Sequence, residues 1–529
     1  MLQDHLLIIL SLLFVTSMLA LLSERARISY PILLVIAGLL ISFIPGIPVI
    51  KMDPEIIFMV FMPPLLYSAA WYTSWAEFWR LKRPIGLLAF GLVIFTATAV
   101  AFFSHWLIPG FSLALGFLLG GIISPPDAVA ASSVFQNLKV PKQVVSILEG
   151  ESLINDASSL IVFRFALAAM FTGQFVFADA ITSFFSVVFF GVLIGLVIAH
   201  IVYAIHRFLP TTPGIDTALT LISPYLMYLT AEHFHSSGVL AVVSGGLFLS
   251  FRSSDIFSYS SRLQGNTVWD VLVFLLNGVV FIMIGLQLPD VIRGIGSYSI
   301  INCIFFAVAI SLLTIVIRII WVFPAAYLPL LLSRKTSKPK EAVSWKTVFV
   351  VAWSGMRGVM SLASALAVPL TLANGNAFPH RSLILFITFV VILFTLILQG
   401  LSLPFILKVM KLQVADDDSE QENQITYRLA NTVVDYLQTN CQQELIDNPV
   451  FRRVKEKFER ISEIADKELT NSLEPIPEFS KTNQEMLLEI IEVRRTELKH
   501  MQRHQEFTDE LIRAKEHELD LEEASVRKS

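Results

Sequence analysis

The chain has 529 residues, of which 55% are hydrophobic and 16% are charged, and its mean hydropathy is +0.68. Soluble proteins carry about a quarter charged residues, so the composition excludes a soluble globular protein and predicts an all-α polytopic membrane protein. The net charge of −4 is unevenly distributed, because the stretch from Gln413 onward holds 16 Lys and Arg against 27 Asp and Glu. A helical acidic tail is therefore expected after a slightly basic membrane domain. The two cysteines, Cys303 and Cys441, indicate neither a disulfide framework nor a metal site.

Thirteen apolar segments are predicted to cross the membrane as helices, which takes about 20 residues each. The first lacks Lys or Arg ahead of it, so it is expected to be a span rather than a signal peptide. One set of alternate loops holds fourteen Lys and Arg, whereas the other holds only Lys51, Arg293 and Arg381. This bias places the amino terminus outside and the tail in the cytoplasm. The segments lie at about 4–22, 31–48, 55–73, 84–107, 111–135, 142–171, 178–204, 216–234, 236–251, 266–288, 300–323, 346–370 and 380–408.

Two of these segments are interrupted. The fifth contains SPPDAVAAS (Ser124–Ser132), in which two prolines remove backbone donors. The twelfth contains WSGMRGVMS (Trp353–Ser361), in which glycines flank Arg357. If segments 1–6 and 8–13 are inverted repeats, each repeat is broken at its fifth span, which is typical of the midplane site of a transporter. The alternative is that the prolines and glycines only produce kinks or close packing.

The sixth segment contains Asp156 in an otherwise apolar stretch, and a charge at membrane depth usually serves a function. Desolvation disfavours the charged form of a carboxylate, so this group can hold a proton or, when ionised, a small cation. Ser152 and Ser159 share its helix face and are candidate ligands. The alternatives are a structural carboxylate paired with a neighbouring helix, and serines that only bond back to their own helix.

Four further charged residues have expected roles, and for some of them two interpretations remain open. Glu151 points about 140° away from Asp156 on a helix, so Arg357 is expected to pair with Glu151 as a brace, or else to hold Asp156 when no cation is bound. Asp127 follows the two prolines and either caps the second half-helix or faces the ion. Arg318 lies near the predicted end of its segment, where it is expected to extend towards the membrane surface.

Seven segments, in their order, resemble the monovalent cation/proton antiporter-1 family, the sodium/proton exchangers of NhaP type. The resemblance covers nearly all of residues 1–410. The segments read MPPLLYSAAW, PPDAVA, GESLINDA, HSSGVLAVVSGGL, NGVVFIMIGLQLP, SGMRGVMSLA and ILFTLILQGLSLP.

The resemblance implies a homodimer in the plasma membrane, with a mobile core (about 84–171 and 300–408) and a dimer scaffold (about 4–73 and 178–288). It implies that Asp156 binds cation and proton, that Asn155 and Ser152 support the site, and that Glu151 pairs with Arg357. Two departures bear on the selectivity for the cation. Ser68 occupies a position where the family often has an acid, and the crossing motif reads Pro126-Asp127-Ala128 where Thr-Asp-Pro is usual.

The expected function is therefore secondary antiport of a monovalent cation, Na+ foremost, for H+, one for one and electroneutral, by residues 1–410, serving pH and sodium homeostasis. Residues 411–529 are expected to form a cytoplasmic regulatory tail. The alternatives are a K+(Na+)/H+ antiporter with relaxed selectivity, a cation channel, and an intramembrane protease with an Asp127–Asp156 dyad. Li+ is a further candidate cation. No cofactor, resident metal ion or nucleic-acid partner is expected.

Overall fold

The computed structural model describes residues 2–26, 29–44, 54–135, 140–172, 177–295, 298–332, 344–372, 375–410, 417–469, 486–488, 490–496, 519 and 521–526. Contacts divide the chain into two compact units, Met1–Val414 and Ala415–Ser529. Each unit is helical over most of its described length.

The helices of the first unit follow the predicted apolar segments. Two π-helical turns, Ile57–Phe61 and Leu87–Leu92, join α3 to α4 and α6 to α7. In chain order the helices are α1 (Leu2–Ala26), α2 (Tyr30–Ser42), α3 (Pro54–Ile56), α4 (Met62–Tyr72), α5 (Trp75–Arg80), α6 (Lys82–Gly86), α7 (Val93–Leu107), α8 (Leu113–Ile123), α9 (Ala128–Phe135), α10 (Lys142–Thr172), α11 (Phe177–Phe208), α12 (Pro213–His233), α13 (Gly238–Phe251), α14 (Ser253–Ile256), α15 (Tyr259–Leu286), α16 (Leu288–Gly294), α17 (Ile300–Leu332), α18 (Trp345–Trp353), α19 (Val359–Leu366) and α20 (Arg381–Met410).

Among the described residues, seven helical segments are long and apolar enough to cross a membrane, and four shorter helices are apolar as well. Each of the thirteen predicted segments overlaps a helix or a broken pair of helices. The prediction of an all-helical, multi-span membrane protein is thus confirmed. The number of crossings stays a prediction, since α12 and the broken pair α18–α19 are not among the seven long apolar segments.

Close backbone contact positions α8, the helix that leads into the first interruption. A Cβ on Gly116 would lie 2.6 Å from the carbonyl oxygen of Ala101, and one on Gly120 would lie 2.5 Å from that of Ala97, so α7 and α8 pack backbone to backbone. On the next face, a Cβ on Gly121 would lie 2.9 Å from the backbone nitrogen of Phe163 in α10. Small residues allow this approach between helices in lipid, and it holds α8 against α10, the helix that contains Asp156.

The helices of the first unit pack mainly in two groups. One group contains α7, α8, α10, α17, α18 and α20, and the other contains α1, α2, α4, α11, α12, α13 and α15. Helices α9 and α19 pack with the first group. Contacts between the groups are made by α10 with α4 and α13, by α2 with α9 and α20, and by α15 with α19. The candidate site lies at this boundary.

The second unit begins with α21 (Asp417–Asn440), α22 (Gln442–Asp447) and α23 (Pro449–Leu469). Helices α21 and α23 pack together, and the Ser462 hydroxyl donates to Oδ1 of Asn431 at 2.9 Å. Further along, Arg494 pairs with Glu522 at 2.7 Å. A helical tail was predicted, and its described part is helical; its regulatory role stays a prediction.

Candidate ion-binding site

The two interruptions lie against each other inside the first unit. Residues 124–127 separate α8 from α9, and residues 354–358 separate α18 from α19. The backbone N–H of Asp127 donates to the carbonyl of Met356 at 2.7 Å. In return, Nε of Arg357 donates to the carbonyl of Ile123 at 2.6 Å. Each break thus supplies partners for backbone groups that the other has freed, a need that is absolute at membrane depth.

Asp127 caps the half-helix that follows it. Its Oδ1 accepts from the backbone N–H of Val129 at 2.9 Å, and the carboxylate also faces the N–H groups of Ala130 and Val359. A Cβ on Gly358 would overlap this carboxylate, so only glycine allows such an approach. One negative charge therefore lies at the positive amino-terminal ends of both α9 and α19. These contacts favour the capping interpretation, although Asp127 also lines the cavity described below.

Arg357 binds backbone carbonyls rather than a carboxylate. In addition to Ile123, its guanidinium donates to the carbonyl of Gly355 at 2.5 Å, and its side chain is buried. Among the described residues it makes no hydrogen bond to Glu151 or Asp156. The predicted Glu151–Arg357 pair was therefore wrong in its partner. The physical reason is that the ends of the broken helices present unpaired carbonyls, and these carbonyls surround the guanidinium.

The partner of Glu151 is Arg318. Nη1 of Arg318 donates to Oε1 at 2.6 Å and Nη2 donates to Oε2 at 2.8 Å, and both side chains are 1% exposed. Arg318 also donates to the carbonyl of Val351, at 3.2 Å from Nη2. The expectation that Arg318 extends to the membrane surface was wrong because α17 continues to Leu332. The apolar run after Arg318 was the sequence signal for this longer helix.

Asp156 differs from the other buried charges because its carboxylate has no partner. It is 7% exposed, and within the described part of the chain it makes no hydrogen bond and no ion pair. It faces a cavity of about 70 Å³ that is also lined by Asp127 and Ser152. A space of that size holds a few water molecules. Asp127, which lines the same cavity, places a like charge in the surroundings of Asp156.

The polar neighbours of Asp156 are arranged around the break in α8–α9. The hydroxyl of Ser152 accepts from the backbone N–H of Ala128 at 3.4 Å and lines the cavity. The amide of Asn155 donates to the carbonyl of Pro126 at 3.2 Å and is fully buried. Asn155 therefore connects α10 to the crossing. Ser159 donates to the carbonyl of Asp156 at 2.9 Å, which favours helix back-bonding over ligation for this serine.

The whole arrangement is a buried, unpaired carboxylate that lies against a small, mostly apolar cavity with a few polar side chains, and the neighbouring charges are already occupied. Such a carboxylate has two ways to avoid an uncompensated charge, which are to take up a proton or to bind a cation. Both use the same oxygens, so they exclude each other.

The sequence is similar to those of known transporters. Residues 9–409 match the family model described as sodium/hydrogen exchanger, transmembrane. This chain belongs to that family.

Individual exchangers show how far the similarity extends. A sodium, potassium, lithium and rubidium/H(+) antiporter of Bacillus pumilus is 36% identical over 402 residues, which are 74% of this chain and 59% of that protein. This chain thus spans about three-fifths of the length of that relative. YjcE of Escherichia coli, an uncharacterized Na(+)/H(+) exchanger, is 31% identical over 94% of both chains.

The fold is similar to that of a solved exchanger. The sodium proton antiporter MjNhaP1 of Methanocaldococcus jannaschii matches with a TM-score of 0.60 and 20% identity, over 77% of this chain and 98% of that one. The predicted membership of the cation/proton antiporter-1 family is confirmed, and with it an exchanger fold in an integral membrane protein. The family is one of transporters, not enzymes, so the protease interpretation of Asp127 and Asp156 is set aside.

The Glu151–Arg318 pair predicts a thermodynamic coupling. Glu151→Gln or Arg318→Met alone leaves one charge buried without its partner, so each is expected to lower stability by roughly 3–5 kcal/mol. The double variant leaves neither charge and is expected to recover a large part of that loss. The measurement is a double-mutant cycle on thermal unfolding in detergent. The same cycle with Arg357→Met in place of Arg318→Met is the control, and simple additivity of the Glu151 and Arg318 effects would contradict the pairing.

The capping contacts of Asp127 predict a tolerant position. Asn caps about as well as Asp, whereas Ala is expected to lower stability by about 0.5–2 kcal/mol. Asp127→Asn should therefore keep substantial cation-driven proton flux and Asp127→Ala should unfold at a lower temperature. Flux into proteoliposomes and unfolding in detergent are measured on the same preparations. A stable Asp127→Asn protein with no flux would instead assign Asp127 to the ion site.

Proposed function

We propose that this chain is a secondary antiporter that exchanges a monovalent cation, Na+ in the first place, for H+ by alternating access. The observation that carries the proposal is Asp156, a buried carboxylate without a hydrogen bond or ion pair in the described structure, facing a small cavity that it shares with Asp127 and Ser152. Membership of the sodium/hydrogen exchanger family supports a role for this carboxylate in the exchange of a cation for a proton.

The exchange follows from competition at one group. When the cavity faces the side with more Na+, the cation displaces the proton from Asp156 and is bound by the carboxylate and the Ser152 hydroxyl. When the cavity faces the other side, a proton displaces the cation. Either bound form neutralises the carboxylate, whereas the empty, ionised form leaves a buried bare charge. Since a bare charge is costly to move through a low-dielectric barrier, the loaded forms are the ones that change sides.

Charge balance follows from the occupied neighbours. Glu151 is held by both nitrogens of the Arg318 fork, and Asp127 is held by backbone N–H groups. Asp156 is then the one group of the cavity that exchanges its proton, and it exchanges one proton for one monovalent cation. The proposed cycle is therefore electroneutral.

The orientation in the membrane and the division into moving parts are also proposed. The bias of the loop charges supports an amino terminus outside and an acidic tail in the cytoplasm. The protein is proposed to act as a homodimer in the plasma membrane. Several of the loop charges, Lys139 and Lys335 among them, lie outside the described residues. The two packing groups of helices support a division into a core, about 84–171 and 300–408, that moves against a scaffold, about 4–73 and 178–288.

Selectivity among cations is the main alternative within this proposal. The Bacillus pumilus relative is named for sodium, potassium, lithium and rubidium, which favours K+ and Li+ as additional candidate substrates. Ser68 supplies no charge where the family often has an acid. A site with one carboxylate and neutral oxygens discriminates through its size and the number of its oxygens rather than through its net charge, which is compatible with a broad cation range.

The experiment is cation-driven proton flux in proteoliposomes, with Na+, Li+ and K+ compared. Asp156→Asn is expected to abolish the flux for every cation, because Asn carries neither the proton nor the charge, while the protein still inserts and elutes as the wild type does. Asp255→Asn, which removes an exposed carboxylate outside the site, is the matched control. Near-normal flux in Asp156→Asn would reject the assignment, and cation flux without proton movement would indicate a channel.

Electroneutral exchange predicts insensitivity to voltage. With equal K+ on both sides, Na+-driven proton flux is measured with and without valinomycin, which holds the membrane potential at zero. An electroneutral cycle builds up no potential, so the initial rate should be the same in both conditions. Because K+ is equal on both sides, any K+ transport affects both measurements alike. A flux that valinomycin stimulates several-fold would require a second titrating group, for which Asp127 is the candidate.

A further inference from the structure

The cavity in front of Asp156 has one polar side chain on its scaffold wall. The wall contributed by α4 and α15 consists of Met62, Leu65, Leu66, Ala69 and Asn277. Four of these are apolar, so the amide of Asn277 is the polar group that this wall offers to the core. Ser68, which occupies the third-span position where an acid is common in the family, is buried and does not line the cavity.

The packing of α15 fixes the direction of Asn277. A Cβ on Gly278 would overlap Thr16 and the Tyr30 hydroxyl, and a Cβ on Gly285 would lie 2.5 Å from the backbone nitrogen of Leu39. These two glycines are seven residues apart and lie on one face of the helix, against α1 and α2. Asn277 is turned about 100° from Gly278, away from that contact and towards the core.

The amide of Asn277 is available for a ligand. The side chain is half-buried, and it makes no hydrogen bond to any other residue that the structure describes. A sheltered amide without a partner is costly unless water or a ligand satisfies it. Across the cavity, Asp156 and Ser152 offer a carboxylate and a hydroxyl to the same space. Together the three side chains present oxygen ligands from both walls, the chemistry that small hard cations take.

We propose that Asn277 is a specificity-determining residue of the transport site, whose amide oxygen binds the cation held by Asp156, directly or through one water molecule. The proposal rests on the antiport function proposed above. An amide adds an oxygen but no charge, so the one-for-one charge balance is unchanged. Because Asn277 belongs to the scaffold group and Asp156 to the other group, this ligand is present only while the two groups are docked as they are here. Asn277 therefore raises cation affinity in one facing state and not in the other, a difference that biases the equilibrium between the two states.

The experiment separates the oxygen from the packing by two near-isosteric changes. Asn277→Leu keeps the volume and removes the oxygen, whereas Asn277→Asp keeps the volume and an oxygen ligand but adds a charge when it is ionised. Asn266→Leu is the matched control, because Asn266 lies on the same helix and lines a different cavity, beside Asp216 and Trp269. The KM and maximal rate of proton flux are measured in proteoliposomes for Na+, Li+ and K+.

Asn277→Leu is expected to raise the KM for Na+ about tenfold, as for one lost contact to a charged ligand, with a much smaller change in maximal rate. The order of preference among the three cations should also change, which a purely structural role for Asn277 does not predict. Asn277→Asp, which keeps an oxygen ligand and adds a negative charge, should show no rise in the KM for Na+, and Asn266→Leu should match the wild type. Wild-type KM values for all three cations in Asn277→Leu would overturn the proposal. If Asn277→Leu does not fold, Asn277→Ala is measured against the same two expectations.

A binding measurement keeps this test apart from that of the antiport function. Na+ that binds the folded protein raises its melting temperature in a concentration-dependent manner, whether or not transport occurs. Asn277→Leu is expected to need about tenfold more Na+ than the wild type for the same rise, and Asp156→Asn to show none. Equal Na+ dependence in wild type and Asn277→Leu would overturn the inference even if the liposomes exchange ions. A wild type that binds Na+ through Asn277 but drives no proton flux would reject the antiport proposal instead.

Discussion

Two broken helices pass each other where residues 124–127 meet residues 354–358, and a hydrocarbon environment leaves the freed backbone groups no water to bind. At the crossing, each break supplies hydrogen-bond partners for backbone groups that the other break has freed. The N–H of Asp127 donates to the carbonyl of Met356, and the guanidinium of Arg357 donates to the carbonyls of Ile123 and Gly355. The Asp127 carboxylate faces N–H groups at the amino-terminal ends of two half-helices. Irregular backbone is tolerated here because Asp127 and Arg357 bind backbone groups rather than each other.

Helix α10 contains two buried carboxylates, Glu151 and Asp156, of which only the first has a partner among the described residues. Glu151 is occupied by Arg318 in a two-pronged pair, so one turn of the helix is a rigid brace against α17. Asp156, about one turn further, has no such partner and faces the cavity. Two carboxylates five residues apart on the same helix thus have different surroundings, and the different roles proposed for them rest on that difference. A charge that is permanently paired stabilises the helix contact, and one that lacks a partner remains free to exchange ligands.

The cavity lies between the two packing groups of helices, and each group supplies part of its wall. The group that contains α10 supplies the charge, and the group that contains α4 and α15 supplies a mostly apolar surface with one amide at Asn277. Movement of one group past the other would change the wall opposite Asp156 without altering Asp156 itself. In that case the affinity of the site for a cation would depend on the facing state, the differential binding through which a ligand shifts a conformational equilibrium.

The sequence alone determined the features that depend on local chemistry. Apolar length located the helices, Pro125, Pro126 and the glycines near Arg357 located both breaks, and an isolated charge in an apolar run singled out Asp156. The sequence did not determine which arginine pairs with Glu151, because α17 and the α18–α19 break each contain one. The choice between Arg318 and Arg357 depends on the depth and rotation of these helices against α10. The polar residue of the scaffold wall was equally undetermined, since Ser68 and Asn277 both lie in apolar helices. Helical periodicity gives the angles between residues of one helix but not the rotation of that helix against its neighbours, and only tertiary packing decided which side chain faces Asp156.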